Sequence, residues 1–171
     1  AADGFGVILA VLTGAIWLIT TIFSKEYMAA ERNRNRYYFF VFLTLGATMG
    51  IFLSADLFTT FIFFEIMSFT SFVLVMHDEE DFTVRSAKTY LAVAVIGGLV
   101  TLMGLFMMYQ KAGTLNMAEL TAFMQSRENP AEFYAIGVLI LFGFAAKAGL
   151  FPLHIWLPNA CRNSSPRAWS I

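Results

Sequence analysis

The segment Leu57–Met76, LFTTFIFFEIMSFTSFVLVM, is a run of 20 residues in which Glu65 is the only charged side chain. A helix of about 20 apolar residues crosses the roughly 30 Å hydrocarbon core of a membrane. Because lipid offers no partner to backbone N–H and C=O groups, such a segment is expected to be helical. The segment therefore predicts a transmembrane helix with a carboxylate near its middle.

The rest of the chain has the same apolar character. Four more stretches of at least 19 residues carry at most one formal charge each, and they are residues 4–24, 37–55, 89–110 and 133–161. Of the 171 residues, 58 % are hydrophobic and only 13 % are charged, whereas soluble domains are about half apolar and a quarter charged. The alternation of apolar and polar residues that marks a membrane β-strand is absent from these stretches. We therefore predict an all-α integral membrane protein with five transmembrane helices.

The composition argues against several classes of function. Eleven basic residues against twelve acidic ones give a net charge of −1, so no basic excess favours nucleic acid as a partner. The single cysteine, Cys161, excludes an internal disulfide framework, a four-cysteine zinc site and a self-contained iron–sulfur cluster. The acidic run 78–81 lacks the spacing of a calcium loop. We expect no cofactor, no metal and no redox centre in this chain, with a haem- or quinone-binding anchor as a weaker alternative.

The charges between the predicted helices indicate the orientation. Six lysine and arginine residues lie in segments 25–36 and 77–88, and two lie in segment 111–132. Basic loops stay on the cytoplasmic side of a membrane. We therefore expect 25–36 and 77–88 to be cytoplasmic loops and 111–132 to lie outside, with a short amphipathic helix within 117–127.

Small residues recur at helical spacing in the predicted membrane helices. Gly46 and Gly50 form a GxxxG pair, and Gly97, Gly98 and Gly104 lie in the fourth stretch. Small residues at this spacing let helix backbones approach closely in lipid. The pattern predicts interhelical packing rather than a chemical role.

Two charges lie deep in apolar stretches. Glu65 is near the middle of its helix, with Ser68 one turn on to offer a hydroxyl, and Lys147 follows fifteen residues after Glu132. A charge at the membrane centre costs about 2.5–3.5 kcal/mol on insertion scales and usually has a function. Glu65 is thus a candidate proton carrier or a salt-bridge anchor between helices. Lys147 is a candidate proton exchanger or a lysine that reaches the interface.

The last stretch contains residues that interrupt a helix. Pro152 removes a backbone donor and Gly149 removes a conformational constraint, so we expect the helix to break near Pro152. Broken helices at membrane depth occur at ion sites of transporters. His154 is a candidate proton relay or a packing histidine. Lys88 is a candidate relay or an interfacial lysine, and Asp56 is expected to cap the third helix.

Two of these stretches carry a resemblance to a known family. Residues 147–160, KAGLFPLHIWLPNA, and residues 55–68, ADLFTTFIFFEIMS, resemble signatures of the antiporter-like membrane subunits. This family occurs in respiratory complex I (NADH:quinone oxidoreductase), membrane-bound hydrogenases and formate hydrogenlyases, and Mrp-type Na⁺/H⁺ antiporters. The resemblance runs from about residue 3 to residue 160. It covers only the family's first inverted-repeat unit, its helices three to seven.

The resemblance implies a role for each matched residue. Glu65 matches the glutamate of the family's helix five, and Lys147 matches the lysine of its broken helix seven. Lys88 and His154 lie where many members have a lysine and a histidine that line the same hydrated path. In the family these groups transfer protons or ions, and the electron carriers lie in other subunits.

The resemblance also implies the organisation of the chain and its setting. We expect residues 1–160 to be a partial transmembrane antiporter-like domain and residues 161–171 to be a tail that results from truncation or a frame shift. The expected function is translocation of H⁺ or Na⁺ within an NADH:quinone oxidoreductase-like or hydrogenase-like complex of a bacterial or archaeal cytoplasmic membrane. The partners would be lipid and other membrane subunits. The alternative is a structural membrane subunit whose buried charges hold helices together and bind neighbouring subunits.

Overall fold

All regular structure in the described residues is helical. The computed structural model describes residues 4–30, 33–76, 81–126 and 131–150. The helices are α1 (Gly4–Tyr27), α2 (Arg34–Leu53), α3 (Leu57–Val75), α4 (Asp81–Ala112), α5 (Met117–Gln125) and α6 (Ala131–Ala148), with a 3₁₀ turn at Met28–Ala30. Pro152, His154 and the expected tail 161–171 lie outside the described residues.

Four of the helices, α1 to α4, are long and apolar enough to cross a membrane. The apolar part of α6, Phe133–Ala148, is shorter. The prediction of an all-α integral membrane protein is therefore confirmed, whereas a fifth crossing is not shown by the described residues. Within α4, 39 % of the apolar stretch is buried inside the chain, against 6 % of that of α1. Helix α4 is therefore the central element, and α1 is peripheral.

The helix ends follow local sequence signals. The Asp56 side chain accepts a 2.8 Å hydrogen bond from the Thr59 backbone N–H, which confirms the predicted cap of α3. The pKa of Asp56 is held below its usual value mainly by a hydrogen bond from the Thr59 side chain, and to a smaller extent by the hydrogen bond from the Thr59 backbone. At the end of α6, Gly149 adopts a φ of 70°, and the Leu150 N–H donates to the Ala145 carbonyl at 3.0 Å. This is a Schellman ending, which favours glycine because other residues rarely adopt positive φ.

Two expected loops are shorter than the charge pattern indicates. Helix α4 begins at Asp81, so residues 81–88 of the expected loop 77–88 are helical. Helix α1 continues to Tyr27, so the first three residues of the expected loop 25–36 are helical. Hydropathy marks where a chain leaves the hydrocarbon, but a helix satisfies its own backbone and can continue beyond that boundary.

Helix α4 packs against α3 and α6, α3 also packs against α2, and α2 against α1. A methyl group built on Gly97 would lie 3.0 Å from the Gly143 carbonyl oxygen of α6, and one built on Gly50 would overlap the Phe63 ring of α3. The close approach predicted from small residues is thus confirmed at these glycines. It is wrong for Gly46, because no atom of the described residues lies within 4 Å of the added methyl group.

The α2–α3 turn and the α4–α5 loop pair with each other at one end of the bundle. The Leu57 N–H donates to the Leu115 carbonyl at 3.0 Å, and the Met117 N–H donates to the Ala55 carbonyl at 3.2 Å. Beneath them, α5 closes an apolar cluster between α4 and α6, formed by Leu105, Met108, Leu120, Phe133, Ile136 and Ile140. The turn and the loop therefore lie on the same side, as the expected alternation of crossings requires.

Candidate functional site

Lys147 reaches from the last turn of α6 to the middle of α3. Its Nζ donates a 3.1 Å hydrogen bond to the Phe64 backbone carbonyl and a short hydrogen bond to Ser68 Oγ. The same atom lies 4.5 Å from the centre of the Phe64 ring, within the range of a cation–π contact. Since Phe64 and Ser68 lie inside the span Leu57–Leu74, the lysine ammonium is level with the interior of α3.

The backbone of both helices favours a cation at this point. Lys147 belongs to the last turn of α6, where unpaired carbonyl groups give the helix end a partial negative charge. On α3, the Ser68 hydroxyl donates to the Phe64 carbonyl at 2.8 Å, which leaves its oxygen lone pairs free to accept from the lysine. The Tyr90 hydroxyl of α4 donates to the Ser68 carbonyl at 3.3 Å. Ser68, 3 % exposed, is thus held by α4 and in turn holds α6.

Glu65 lies next to the contacts that Lys147 makes with Phe64 and Ser68, and its side chain is between α3 and α4. Its carboxylate interacts electrostatically with Lys147, yet no ion pair within 4.0 Å joins these two described side chains. The Oε1 atom of Glu65 is buried, and in the described part of the chain it has no hydrogen-bond partner. The carboxyl group rests against Gly98 of α4. The two mid-span charges are therefore neighbours whose direct bond is not formed.

Lys88 does not lie beside Glu65 and Lys147. It lies on α4 with an exposed side chain, ten residues before Gly98, which corresponds to about 15 Å along the helix axis. His154 lies outside the described residues. The relay roles of Lys88 and His154 therefore stay predictions from the resemblance.

Three residues of the site carry roles that the sequence analysis did not assign. Ser68 bonds Lys147 rather than Glu65, Phe64 supplies both a carbonyl and a ring, and Gly98 gives the Glu65 carboxyl its space. The spacing of Phe64 and Ser68 could have indicated that they act together, because residues four apart lie on one face of a helix. Glu65, one residue after Phe64, projects about 100° away from that face and toward α4.

Comparison with known proteins agrees with the motifs. The family model described as "NADH:quinone oxidoreductase/Mrp antiporter, TM" matches residues 54–171. An Na⁺/H⁺ antiporter subunit of Alkalihalophilus pseudofirmus is 32 % identical over 159 residues, which cover 93 % of this chain and 32 % of that protein. The Na⁺/H⁺ antiporter subunit of the same type from Bacillus subtilis is also 32 % identical, over 94 % of this chain and 32 % of its own length. The chain thus spans about a third of the length of these relatives.

Two solved structures share the arrangement of helices. The archaeal membrane-bound sulfane sulfur reductase complex contains a chain with a TM-score of 0.71 and 30 % identity, covering 77 % of this chain and 27 % of that one. The Mrp complex of a Dietzia species contains a chain with a TM-score of 0.62 and 31 % identity, covering 71 % of this chain and 23 % of that one. The family model matches well over half of the residues, so the resemblance is confirmed: this chain belongs to the NADH:quinone oxidoreductase/Mrp antiporter transmembrane family.

Proposed function

We propose that this chain is part of an antiporter-like subunit that translocates H⁺ or Na⁺ within a multisubunit energy-converting membrane complex. The observation that carries the proposal is the pair of neighbouring charges, Glu65 and Lys147, which are not bonded to each other and lie level with the interior of the apolar span of α3. Relatives named as Na⁺/H⁺ antiporter subunits support the class of function. Solved relatives that are parts of multisubunit membrane complexes support the partners.

The bonding of the two side chains suits a change of charge state. An ammonium has three donors, and Lys147 uses two of them on α3, at the Phe64 carbonyl and the Ser68 hydroxyl. Glu65 Oε1 has an unused acceptor site in the described part of the chain. Because charge in a medium of low dielectric acts strongly at short range, a proton gained or lost at Glu65 changes the energy of the Lys147 ammonium. In the proposed function this coupling moves the ion one step along the path.

The resemblance adds the remaining parts of the path and its setting. In the proposal, Lys88 and His154 are further relay groups of the same ion path. Helix α6, with the residues that follow it, forms the fifth crossing of the first inverted-repeat unit. Segments 25–36 and 77–88 face the cytoplasm of a bacterium or archaeon. The complex is an Mrp-type antiporter or an NADH:quinone oxidoreductase-like or hydrogenase-like translocase, whose other membrane subunits are the partners.

A structural role is the second candidate, and one observation favours it. The two hydrogen bonds of Lys147 join α6 to α3, so the lysine contributes to helix packing whether or not it carries an ion. Breaking a buried charged contact by removing one partner is destabilising. A subunit in which Lys147 acts only in this way would lose assembly, rather than ion transfer alone, when the lysine is removed.

Replacement of Lys147 separates the two candidates. The complete subunit, in its membrane complex, carries Lys147→Ala, and Lys25→Ala at the exposed end of α1 is the matched control. Ion-gradient formation is measured in sealed vesicles, and assembly by native gel. We expect the Lys147→Ala complex to assemble and to form the ion gradient at least about tenfold more slowly than the wild type. A tenfold lower rate corresponds to a rise of about 1.4 kcal/mol in the activation free energy.

Each other outcome counts against translocation by this site. Normal assembly with a normal gradient contradicts any need for Lys147. The structural role is favoured if Lys147→Ala abolishes most of the complex while the remaining complex forms the ion gradient at the normal rate. The Lys147→Arg variant, which keeps the positive charge, would then also form the gradient at the normal rate. Lys25→Ala is expected to match the wild type in both measurements.

A further inference from the structure

Gly98 of α4 lies against the carboxyl group of Glu65. A methyl group built on Gly98 would lie 2.6 Å from Glu65 Oε1, 3.0 Å from Cδ and 3.1 Å from Oε2. Ordinary van der Waals contacts of such a methyl group are 3.4–4 Å. The whole carboxyl group therefore occupies the space that any larger residue at position 98 would fill.

Gly98 differs in this respect from the other buried glycines of α4. A methyl group on Gly97 would meet the Gly143 carbonyl and Ala146 of α6, and one on Gly104 would meet the Ile140 side chain at 2.6 Å. Those two glycines allow α4 to approach α6. At Gly98 the three nearest atoms all belong to the Glu65 carboxyl group. The missing side chain of Gly98 therefore makes space for this carboxyl group, and not for the approach of another helix.

The Glu65 carboxylate is held by its surroundings and not by a hydrogen bond at Oε1. That atom, the one nearest to the Gly98 position, is buried and has no hydrogen-bond partner among the described residues. A methyl group at position 98 would therefore displace it without breaking a hydrogen bond at that atom. Since a glutamate side chain has several rotatable bonds, the carboxyl can turn away while α3 and α4 stay packed. Its distance to Lys147 then changes, and with it the interaction of the two charges.

We infer that Gly98 is a positioning residue, which sets the place of the Glu65 carboxylate relative to Lys147 by leaving it space against α4. The inference rests on the proposed function, because it assigns Gly98 a part in the ion transfer proposed for Glu65. It predicts that position 98 tolerates a larger residue only when the acid at position 65 becomes shorter.

The first test is Gly98→Ala in the complete subunit within its complex. The matched control is Gly104→Ala, the same substitution on the same helix with an equally close contact to Ile140 instead of a carboxylate. Rates of gradient formation are divided by the amount of complex on a native gel. A misplacement of about 1 Å in a reacting group costs up to about 100-fold, so we expect a loss of about tenfold or more for Gly98→Ala. The rate per complex is expected to be unchanged for Gly104→Ala, and equal rates for the two variants overturn the inference.

The second test asks whether the lost rate depends on the length of the acid. Aspartate is one methylene shorter, so Glu65→Asp withdraws the carboxyl from the added methyl group. We expect Gly98→Ala to lower the rate much less in the Glu65→Asp background than in the wild type, and to change the pH profile of the rate only when Glu65 is present. An equal loss in both backgrounds means that Gly98 acts through packing alone, and it overturns the inference. Coupling of this kind is the readout of a double-mutant cycle.

Failure of the inference is distinguishable from failure of the proposed function. A Glu65→Gln variant with a normal rate removes Glu65 from the ion path, and a positioning role for Gly98 falls with it. A slow Glu65→Gln variant beside a normal Gly98→Ala variant overturns only the inference. If the Gly98→Ala variant does not assemble into the complex, it is combined with Glu65→Ala. Assembly of the double variant supports a clash between the added methyl group and the Glu65 carboxyl group. Failure of the double variant to assemble contradicts such a clash.

Discussion

The hydroxyl group of Ser68 connects Lys147 of α6 to the backbone of α3. Ser68 Oγ accepts from Lys147 and donates to the Phe64 carbonyl, so the ammonium is bonded to a neutral helix surface and not to the neighbouring carboxylate. A hydrogen bond to a charged group contributes about 1.5–3 kcal/mol. Ser68 therefore defines where the lysine rests when Glu65 is not its partner.

Removal of that hydroxyl is expected to slow ion transfer without loss of the complex. In Ser68→Ala the lysine keeps the Phe64 carbonyl but loses its second acceptor, so we expect a severalfold slower gradient formation by fully assembled complex. Ser68→Thr retains a hydroxyl that can make the same bonds and should keep most of the rate. Thr48→Ala, which removes a comparable hydroxyl-to-carbonyl bond from α2, is the control. A wild-type rate in Ser68→Ala would mean that the Phe64 carbonyl alone suffices.

Part of this site is predictable from the sequence, for a physical reason. Glu65 and Lys147 stand out because a charge in an apolar stretch is costly, and the cap at Asp56 follows from a carboxylate at a helix start. The roles of Ser68 and Gly98 depend on which faces of α3, α4 and α6 meet. Hydropathy does not carry that information, because every face of a membrane helix is apolar.

At the scale of elements, α4 connects the bundle because two of its faces contact different partners. Gly97 and Gly104 contact α6, while Gly98 and Tyr90 contact α3. Small residues predict that helices approach closely here, but not which helices. The same pattern at Gly46 marks no close approach to another helix in the described part of the chain. Hydropathy also places the start of α4 eight residues too late, because charge ends a hydrophobic stretch without ending a helix.

The α4–α6 contact is expected to tolerate no added atom at Gly143. A methyl group there would lie 2.5 Å from the Gly97 carbonyl and would overlap Thr101. A methyl group on Gly137 of the same helix would have no atom of the residues that the structure describes within 4 Å. Overpacking of this kind costs about 1–3 kcal/mol. We expect Gly143→Ala to lower the temperature at which the detergent-solubilised complex is lost from a native gel. Gly137→Ala should leave that temperature unchanged or raise it slightly, since alanine favours a helix, and equal melting of the two variants would contradict this account.

At the scale of the whole molecule, the described helices form a bundle whose turns pair at one end. The backbone bonds between the α2–α3 turn and the α4–α5 loop place both on one side. Three helices, α2, α3 and α4, separate the end of α1 from α5. If all three cross the membrane, this odd number of crossings places those two points on opposite sides of it. The charge pattern, with six basic residues in 25–36 and 77–88 against two in 111–132, predicts that the end of α1 lies in the cytoplasm.

Thiol labelling of intact cells tests both the number of crossings and their direction. In a cysteine-free background of the complete subunit, in which Cys161 of this chain is replaced by Ala, one variant carries Glu26→Cys at the end of α1 and another carries Gln125→Cys at the end of α5. Both positions are exposed, and neither substitution alters the count of basic residues that sets the orientation. We expect a membrane-impermeant maleimide to label Gln125→Cys in intact cells and Glu26→Cys only after the membrane is opened. The reverse pattern would mean that the orientation is inverted, and labelling of both positions in intact cells would mean that α2, α3 and α4 do not all cross.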